Sequence, residues 1–196
     1  LKKAGFSVEK EYYINDAGRQ IDLLGLTLEC RYRQLFGEEV EIPEGGYKGD
    51  YMIDIAEDLK KEKGDSLLSL QEEEKTEIFK SYAVSKILQS IQKDLSDFQV
   101  HFDVWFSEKT LYQNHEVEKA LDQLTKQGFT YEKDGALWLK TQRWGDDKDR
   151  VLIRENGSPT YFASDIAYHF NKWQRGFERV IDIWGADHHG YIPRMK

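Results

Sequence analysis

The sequence predicts an α/β fold in which a parallel sheet is interrupted by a helical insertion and a small antiparallel insertion. Three segments read as strands, residues 6–14, 99–106 and 179–184, and helical segments separate them. A long helical stretch lies between the first two, and two adjacent hairpin signals lie between the second and third. Strands that alternate with helices in this way usually lie parallel in one sheet.

The first half of the chain is mainly helical. After strand 6–14, a helix ends at Gly37, and residues 38–50 form a loop. A short helix at about 50–62 and a linker at 63–72 lead to the longest helix, 73–97, in which apolar residues recur at helical spacing. The first of these helices presents one apolar face, made of Ile21, Leu24, Leu28, Tyr32 and Leu35.

The second half carries the hairpin signals. A helix at about 114–127 precedes turns at Asp134-Gly135 and Asn156-Gly157, which predict a small antiparallel sheet at about 129–162. A helix at 164–176 then leads to the last predicted strand, residues 179–184.

Composition restricts the class of protein. The chain has 196 residues, 39% of them hydrophobic, and no apolar run is long enough to cross a bilayer. With 36 acidic and 28 basic residues, the formal net charge is −8, which argues against a broad nucleic-acid-binding face on this chain. The 1 cysteine, Cys30, excludes an internal disulfide and a thiolate zinc site. With no secretion leader visible, we expect a cytoplasmic protein without a membrane partner.

Acids follow each of the three predicted strands. Asp16, Glu108 and Asp187 come shortly after strands ending at Ile14, Phe106 and Trp184. Ligands bind beyond the carboxyl ends of parallel strands, so we expect these acids at one rim of the sheet, with Asp165 nearby. Helix capping is the alternative explanation for Asp16 and Asp165, whereas Glu is a poor cap.

A metal site is a second interpretation of the C-terminal segment. It would use Asp187, His188 and His189, with His169, and the triplet Asp-His-His also occurs in the DHH phosphoesterases. Adjacent histidines rarely face the same way, and the further Asp-containing motifs of those enzymes are absent from the sequence. We therefore expect no tightly bound, protein-ligated metal.

Five blocks, in order, identify a resemblance that covers essentially the whole chain. They are "EYYINDAGRQI", "FDVWFSE", "WGDDKDRVLIR", "PTYFASDIAYH" and "VIDIWGADHHGYIPRMK". Together they resemble the central part of the catalytic domain of bacterial arginyl-tRNA synthetases. The resemblance implies a partial Rossmann-type sheet and a ligase that uses ATP, with Mg²⁺, to form arginyl-adenylate. The arginyl group then passes to tRNA(Arg), and in this family the first step needs that tRNA.

The resemblance also implies a division of the chain. Residues 1–37, 99–108 and 161–196 would belong to the catalytic domain, 38–98 to a helical insertion, and 109–160 to a connective insertion with hairpins. The His-x-Gly-His and Lys-Met-Ser-Lys-like motifs of the class are absent from the sequence. We therefore expect this chain to be a segment of a longer enzyme that is itself a monomer. The segment alone should be inactive, and it should either associate with other copies or rearrange its sheet. A non-catalytic arginine-binding or docking module is the alternative.

The resemblance assigns roles to six residues. Arginine presents a planar, charged fork of N–H donors, which carboxylates match. Glu108, Tyr161, Asp165 and Asp187 would bind arginine, and Gly185, Asp187 and His188 would lie at ATP or the adenylate. No residue of this chain is assigned a catalytic role, and His169 and His189 are expected to be structural.

Overall fold

The computed structural model describes residues 1–195, except the side chains of Asp187, His189, Pro193 and Arg194 and the burial of Gly190. The chain divides into two compact units, Leu1–Phe106 and the residues from Ser107 onward. The elements of the first unit are β1 (Glu11–Ile14), α1 (Arg19–Gln34), α2 (Tyr51–Lys63), α3 (Glu72–Asp97) and β2 (Val104–Ser107), with 3₁₀ turns at Lys2–Ala4 and Ser66–Ser69.

Strands β1 and β2 pair as a two-stranded parallel sheet, as the sequence predicts. The carbonyl of Lys10 accepts hydrogen bonds from the amides of Asp103, at 2.8 Å, and Val104, at 3.1 Å. In return, the Asp103 carboxylate accepts the Lys10 amide at 2.8 Å. Both strands are shorter than predicted because pairing begins only where Lys10 meets Asp103. Phe6, inside the predicted first strand, is 57% exposed.

Helices α1, α2 and α3 pack around one apolar core. The predicted face of α1 is correct, because Leu24, Leu28 and Tyr32 are all buried. The apolar stripe predicted for α3 is Ile78, Tyr82, Leu88, Ile91 and Leu95. The buried α3 residues are instead Phe79 and Ala83, while Ile78 and Tyr82 are partly buried against the same core. No helix in the described part of the chain is both long and apolar enough to span a bilayer.

The contact between α1 and α3 depends on a glycine. A Cβ added at Gly25 would lie 2.3 Å from Cγ of Lys80 and 3.1 Å from the Lys80 amide nitrogen. The two backbones therefore approach more closely than any larger residue at position 25 would allow.

The second unit packs two helices against a three-stranded antiparallel sheet. Its elements are α4 (Lys109–Gln113), α5 (Glu116–Lys126), β3 (Thr130–Lys133), β4 (Ala136–Leu139), β5 (Arg150–Ile153), α6 (Tyr161–Gln174) and α7 (Ile192–Met195), with 3₁₀ helices at Thr141–Trp144 and Ala186–Tyr191. The predicted Asp134-Gly135 hairpin is confirmed, with both residues at positive φ, 52° and 72°. Positive φ at both turn positions matches the twist of the strands that the turn joins.

The second hairpin forms only as a turn. The Arg154 amide donates to the Ser158 carbonyl at 2.9 Å, but beyond the turn a single bridge joins Ile153 and Pro159. The Thr160 amide also donates to the Leu152 carbonyl, at 2.9 Å, and the pairing ends there because helix α6 begins at Tyr161. Thr160 then caps a helix, because its hydroxyl accepts the Ala163 amide at 3.4 Å.

The predictions for residues 160–163 and 179–184 are corrected by the structure. Helix α6 begins at Tyr161, so Tyr161 is a helical residue and not the end of a strand. Residues 179–184 are not a strand, and Ile183 is 92% exposed. An extended segment becomes a strand only when a neighbour satisfies its backbone groups, and no described strand pairs with these residues.

Candidate functional site

Three of the predicted site residues lie within electrostatic range of one half-buried hydroxyl, that of Tyr112, in the second unit. Burial raises the pKa of Tyr112 on α4, and the hydrogen bond between its hydroxyl and that of Ser164 opposes that shift. The ionisable groups of Glu108, Tyr161 and Asp165 also lie close enough to raise the pKa of Tyr112. The structure thus brings together a residue before α4 and two residues of α6.

These three side chains differ in exposure. Glu108, which precedes α4, is only 3% exposed, whereas Tyr161, at the start of α6, is 59% exposed. Tyr161 and Asp165 are four residues apart in one helix, so both face the same side. The group therefore combines a buried acid, a half-buried acid and an aromatic ring at the surface, which suits a ligand with a positive planar end.

Asp165 has a direct partner in the following 3₁₀ helix. The Tyr191 hydroxyl donates to an oxygen of the Asp165 carboxylate. Burial raises the pKa of Asp165, while this hydrogen bond and the nearby His169, His188 and Lys172 each lower it, and the net shift is upward. The neighbouring groups only partly balance the negative charge of this half-buried carboxylate. A bound cation would therefore stabilise its charged form.

A second network ties α6 to residues 179–184. The Nδ1 of His169 lies 2.7 Å from the Asp165 carbonyl oxygen, and its Nε2 lies 3.0 Å from the Asp182 carboxylate. A carbonyl and a carboxylate both accept hydrogen bonds, and both ring nitrogens can donate to them only in the imidazolium form, which this geometry favours. Lys172 adds a bond of 2.8 Å to Asp182. Asp182 therefore holds this segment against α6 although no strand forms.

The charge of His169 leads to a titration prediction. Burial lowers the pKa of His169, but its hydrogen bonds to Asp182 and to the Asp165 carbonyl outweigh that effect, so the net shift is upward. The stabilisation is complete below the unfolded value of about 6.5 and is lost as the pH rises through the folded pKa. We expect Asp182→Asn to lower the midpoint of the His169 ring resonances in an NMR titration.

A matched variant controls for the overall loss of negative charge. Asp122 lies exposed on α5, and Asp122→Asn should leave the His169 midpoint unchanged. A His169 midpoint that stays in place in Asp182→Asn would show that the ion pair does not set the charge of the ring.

The residues predicted to lie at ATP are described in part. The His188 amide donates to the Gly185 carbonyl at 3.0 Å, and the His188 ring lies 6.0 Å from the Trp184 ring. His188 is also close enough to Asp165 to lower its pKa. The side chains of Asp187 and His189 lie outside the described residues, so their predicted roles stay predictions.

Comparison with known proteins decides the family. The model of the class I tRNA synthetases (R), catalytic domain, matches residues 1–194. The chain belongs to this family. The arginine–tRNA ligase of Syntrophotalea carbinolica is 54% identical over 196 residues, and that of Bacillus subtilis is 50% identical. Both alignments cover 100% of this chain and 35% of the relative, so the chain spans about a third of the relatives' length.

A solved structure supports the same assignment. The crystal structure described as an arginyl-tRNA synthetase from Campylobacter jejuni is 40% identical, with a TM-score of 0.89. The match covers 99% of this chain and 42% of that one. The fold of this catalytic-domain segment is therefore that of the synthetase family.

A cavity in the second unit borders the candidate site, and neither Tyr161 nor Asp165 is among its lining residues. Its volume is about 400 Å³, and its walls include Phe162, Ile166 and His169 of α6. Phe162 and Ile166 each follow a site residue by one position, about 100° around the helix, whereas His169 lies one turn after Asp165 on the same face. Among the described residues, no group of three or more His, Cys, Asp or Glu side chains is placed to hold a metal ion.

Two tyrosines near the candidate site were not predicted. Tyr112 follows Glu108 by four residues, so helical spacing after the strand was a usable signal for it. Tyr191 approaches Asp165 from 26 residues away, and nothing in local spacing points to that contact.

Proposed function

We propose that this chain supplies the arginine-binding part of an arginine–tRNA ligase. The observation that carries the proposal is the cluster of Glu108, Tyr161 and Asp165 around Tyr112, in a chain 54% identical to such a ligase. The full-length protein would join arginine to tRNA(Arg) through arginyl-adenylate, releasing pyrophosphate from ATP. We place this monomeric enzyme in the cytoplasm.

The chemistry of the cluster suits a guanidinium. A carboxylate offers two oxygens to the planar N–H fork of arginine, and hydrogen bonds between charged partners are the strong ones. Glu108 and Asp165 would each contribute such bonds, because they come from different elements and approach a ligand from different directions. The exposed ring of Tyr161 would cover the guanidinium face, an arrangement that favours cations.

The ATP side of the proposed site would lie at the 3₁₀ helix Ala186–Tyr191 and the residues around it. Gly185 brings the backbone close to a ligand without a side chain in the way. His188, next to Asp165 in the structure, would then lie where the amino acid and the nucleotide meet. Asp187 would bind the α-amino group of arginine or the ATP ribose. Mg²⁺ would arrive with ATP, as part of the substrate.

The test is aminoacylation by the full-length protein. With tRNA(Arg), ATP and Mg²⁺ present, radiolabelled arginine should become attached to the tRNA, and pyrophosphate should be released. Lysine should react far more slowly because its ammonium is a point charge that cannot match two carboxylates with one planar fork. Citrulline would leave buried charge unpaired and should be rejected by roughly 10⁴-fold or more.

The outcomes separate the proposal from its alternative. Attachment of lysine or citrulline at rates near that of arginine would contradict the assigned pocket. Arginine binding without any transfer to tRNA would instead favour the non-catalytic binding module.

A further inference from the structure

The hydrogen bond between Tyr191 and Asp165 joins the two sides of the proposed site. Asp165 lies on α6, with the residues proposed to bind arginine, and Tyr191 ends the 3₁₀ helix that carries His188. The Tyr191 ring lies 5.8 Å from the Trp184 ring and 6.4 Å from the Phe162 ring, so aromatic packing holds it on this carboxylate. The contact is thus a fixed part of the structure and not a chance meeting of surface groups.

We infer that Tyr191 is a positioning residue of the proposed arginine site, whose hydroxyl holds the Asp165 carboxylate where the guanidinium of arginine would bind. This inference rests on the proposed function. A carboxylate accepts about four hydrogen bonds through its two oxygens, so one bond from Tyr191 leaves acceptor sites for arginine. The same bond links the proposed nucleotide side to the proposed arginine side.

The hydroxyl has a second consequence for the charge of Asp165. Burial raises the pKa of this carboxyl, and the bond from Tyr191 is the largest effect that opposes burial. A cationic ligand needs the carboxylate form, so loss of the hydroxyl should confine arginine binding to higher pH. Among the described residues, the other charged or titratable groups that act on Asp165 are His188 from the 3₁₀ helix, His169 and Lys172 on its own helix, and Tyr112 from α4.

The experiment compares full-length wild-type ligase with Tyr191→Phe, which keeps the ring and removes only the hydroxyl. We expect kcat/KM for arginine to fall by about tenfold or more, the scale for one charge-assisted hydrogen bond, with little change in the KM for ATP. The acid limb of the arginine kcat/KM profile should also move to higher pH. A tyrosine with a merely structural role would not move that limb.

Tyr131→Phe is the matched control. Its hydroxyl also bonds a carboxylate, that of Asp149 at 3.0 Å, but from strand β3 of the small antiparallel sheet. This variant should keep the wild-type pH profile. In an Asp165→Asn background, Tyr191→Phe should add no further loss, because the two residues act as one pair.

The outcomes are distinct. A wild-type protein that does not use arginine contradicts the proposed function and, with it, the role of Tyr191. An active wild type, with Tyr191→Phe unchanged in arginine kcat/KM and in pH profile, overturns the role of Tyr191 alone. Equal losses for arginine and ATP, or a further loss in the Asp165→Asn background, would also overturn it.

Discussion

On the proposed function, replacing Asp165 by asparagine in the full-length protein should raise the KM for arginine by roughly 10- to 150-fold, while the KM for ATP stays nearly constant. The range follows from about 1.5–3 kcal/mol for a hydrogen bond to a charged group. Asparagine has the size of aspartate, but it carries no charge. Its amide group also offers an N–H donor where the guanidinium, which has only N–H donors, needs an acceptor. Steady-state kinetics with each substrate varied in turn measure the effect.

Glu108→Gln should behave in the same way. Glu108 is 3% exposed, so glutamine fits its place, and the expected loss concerns charge and not packing. Glu118→Gln is the matched control, because the Glu118 side chain is 61% exposed on α5. Equal losses for arginine and ATP in Asp165→Asn or Glu108→Gln would count against these residues as arginine ligands.

The second large effect concerns stability of the helical unit. Phe79 is 1% exposed, and its ring lies 5.3 Å from that of Tyr32 in the core shared by α1, α2 and α3. We expect Phe79→Ala to reduce the free energy of unfolding by about 3–5 kcal/mol, because the lost contacts leave a cavity that the three helices only partly close. Denaturant unfolding followed by far-UV circular dichroism measures this change.

The same helix region offers the control. Phe98 follows α3 directly and is 83% exposed. Phe98→Ala should change the free energy of unfolding by no more than about 0.5 kcal/mol. Similar, small effects for both variants would show that the core does not depend on the Phe79 ring.

Local signals predicted most of the helices and the first hairpin correctly. The apolar spacing of α1 predicted its buried face, and Asp134-Gly135 predicted a turn whose two residues adopt positive φ. Helical periodicity and turn residues are features of short sequence segments, so the structures that they predict depend little on distant residues. The same reasoning missed the start of α6, because the cap at Thr160 competes with a run of good strand formers.

The candidate site was predicted only in part. The resemblance named Glu108, Tyr161 and Asp165, and the structure places all three near Tyr112. Neither Tyr112 nor Tyr191 was named. The spacing of Tyr112 from Glu108 was a local signal for it, but its bond to Ser164 and that of Tyr191 to Asp165 join residues 52 and 26 positions apart. Contacts at that distance depend on how α6 packs against α4 and on where the final segment turns back.

The amino-acid sequence alone was sufficient for the family, the buried face of α1 and the first hairpin, because periodicity, turn chemistry and ordered motifs are local properties. Tertiary structure decided the rest. Residues 179–184 have strand-forming side chains but no described strand pairs with their backbone, so they form no strand and are held to α6 by Asp182. Tertiary structure also decided the surroundings of Asp165, because the pKa of a half-buried carboxyl depends on every hydrogen-bond donor and charge that packing brings near it.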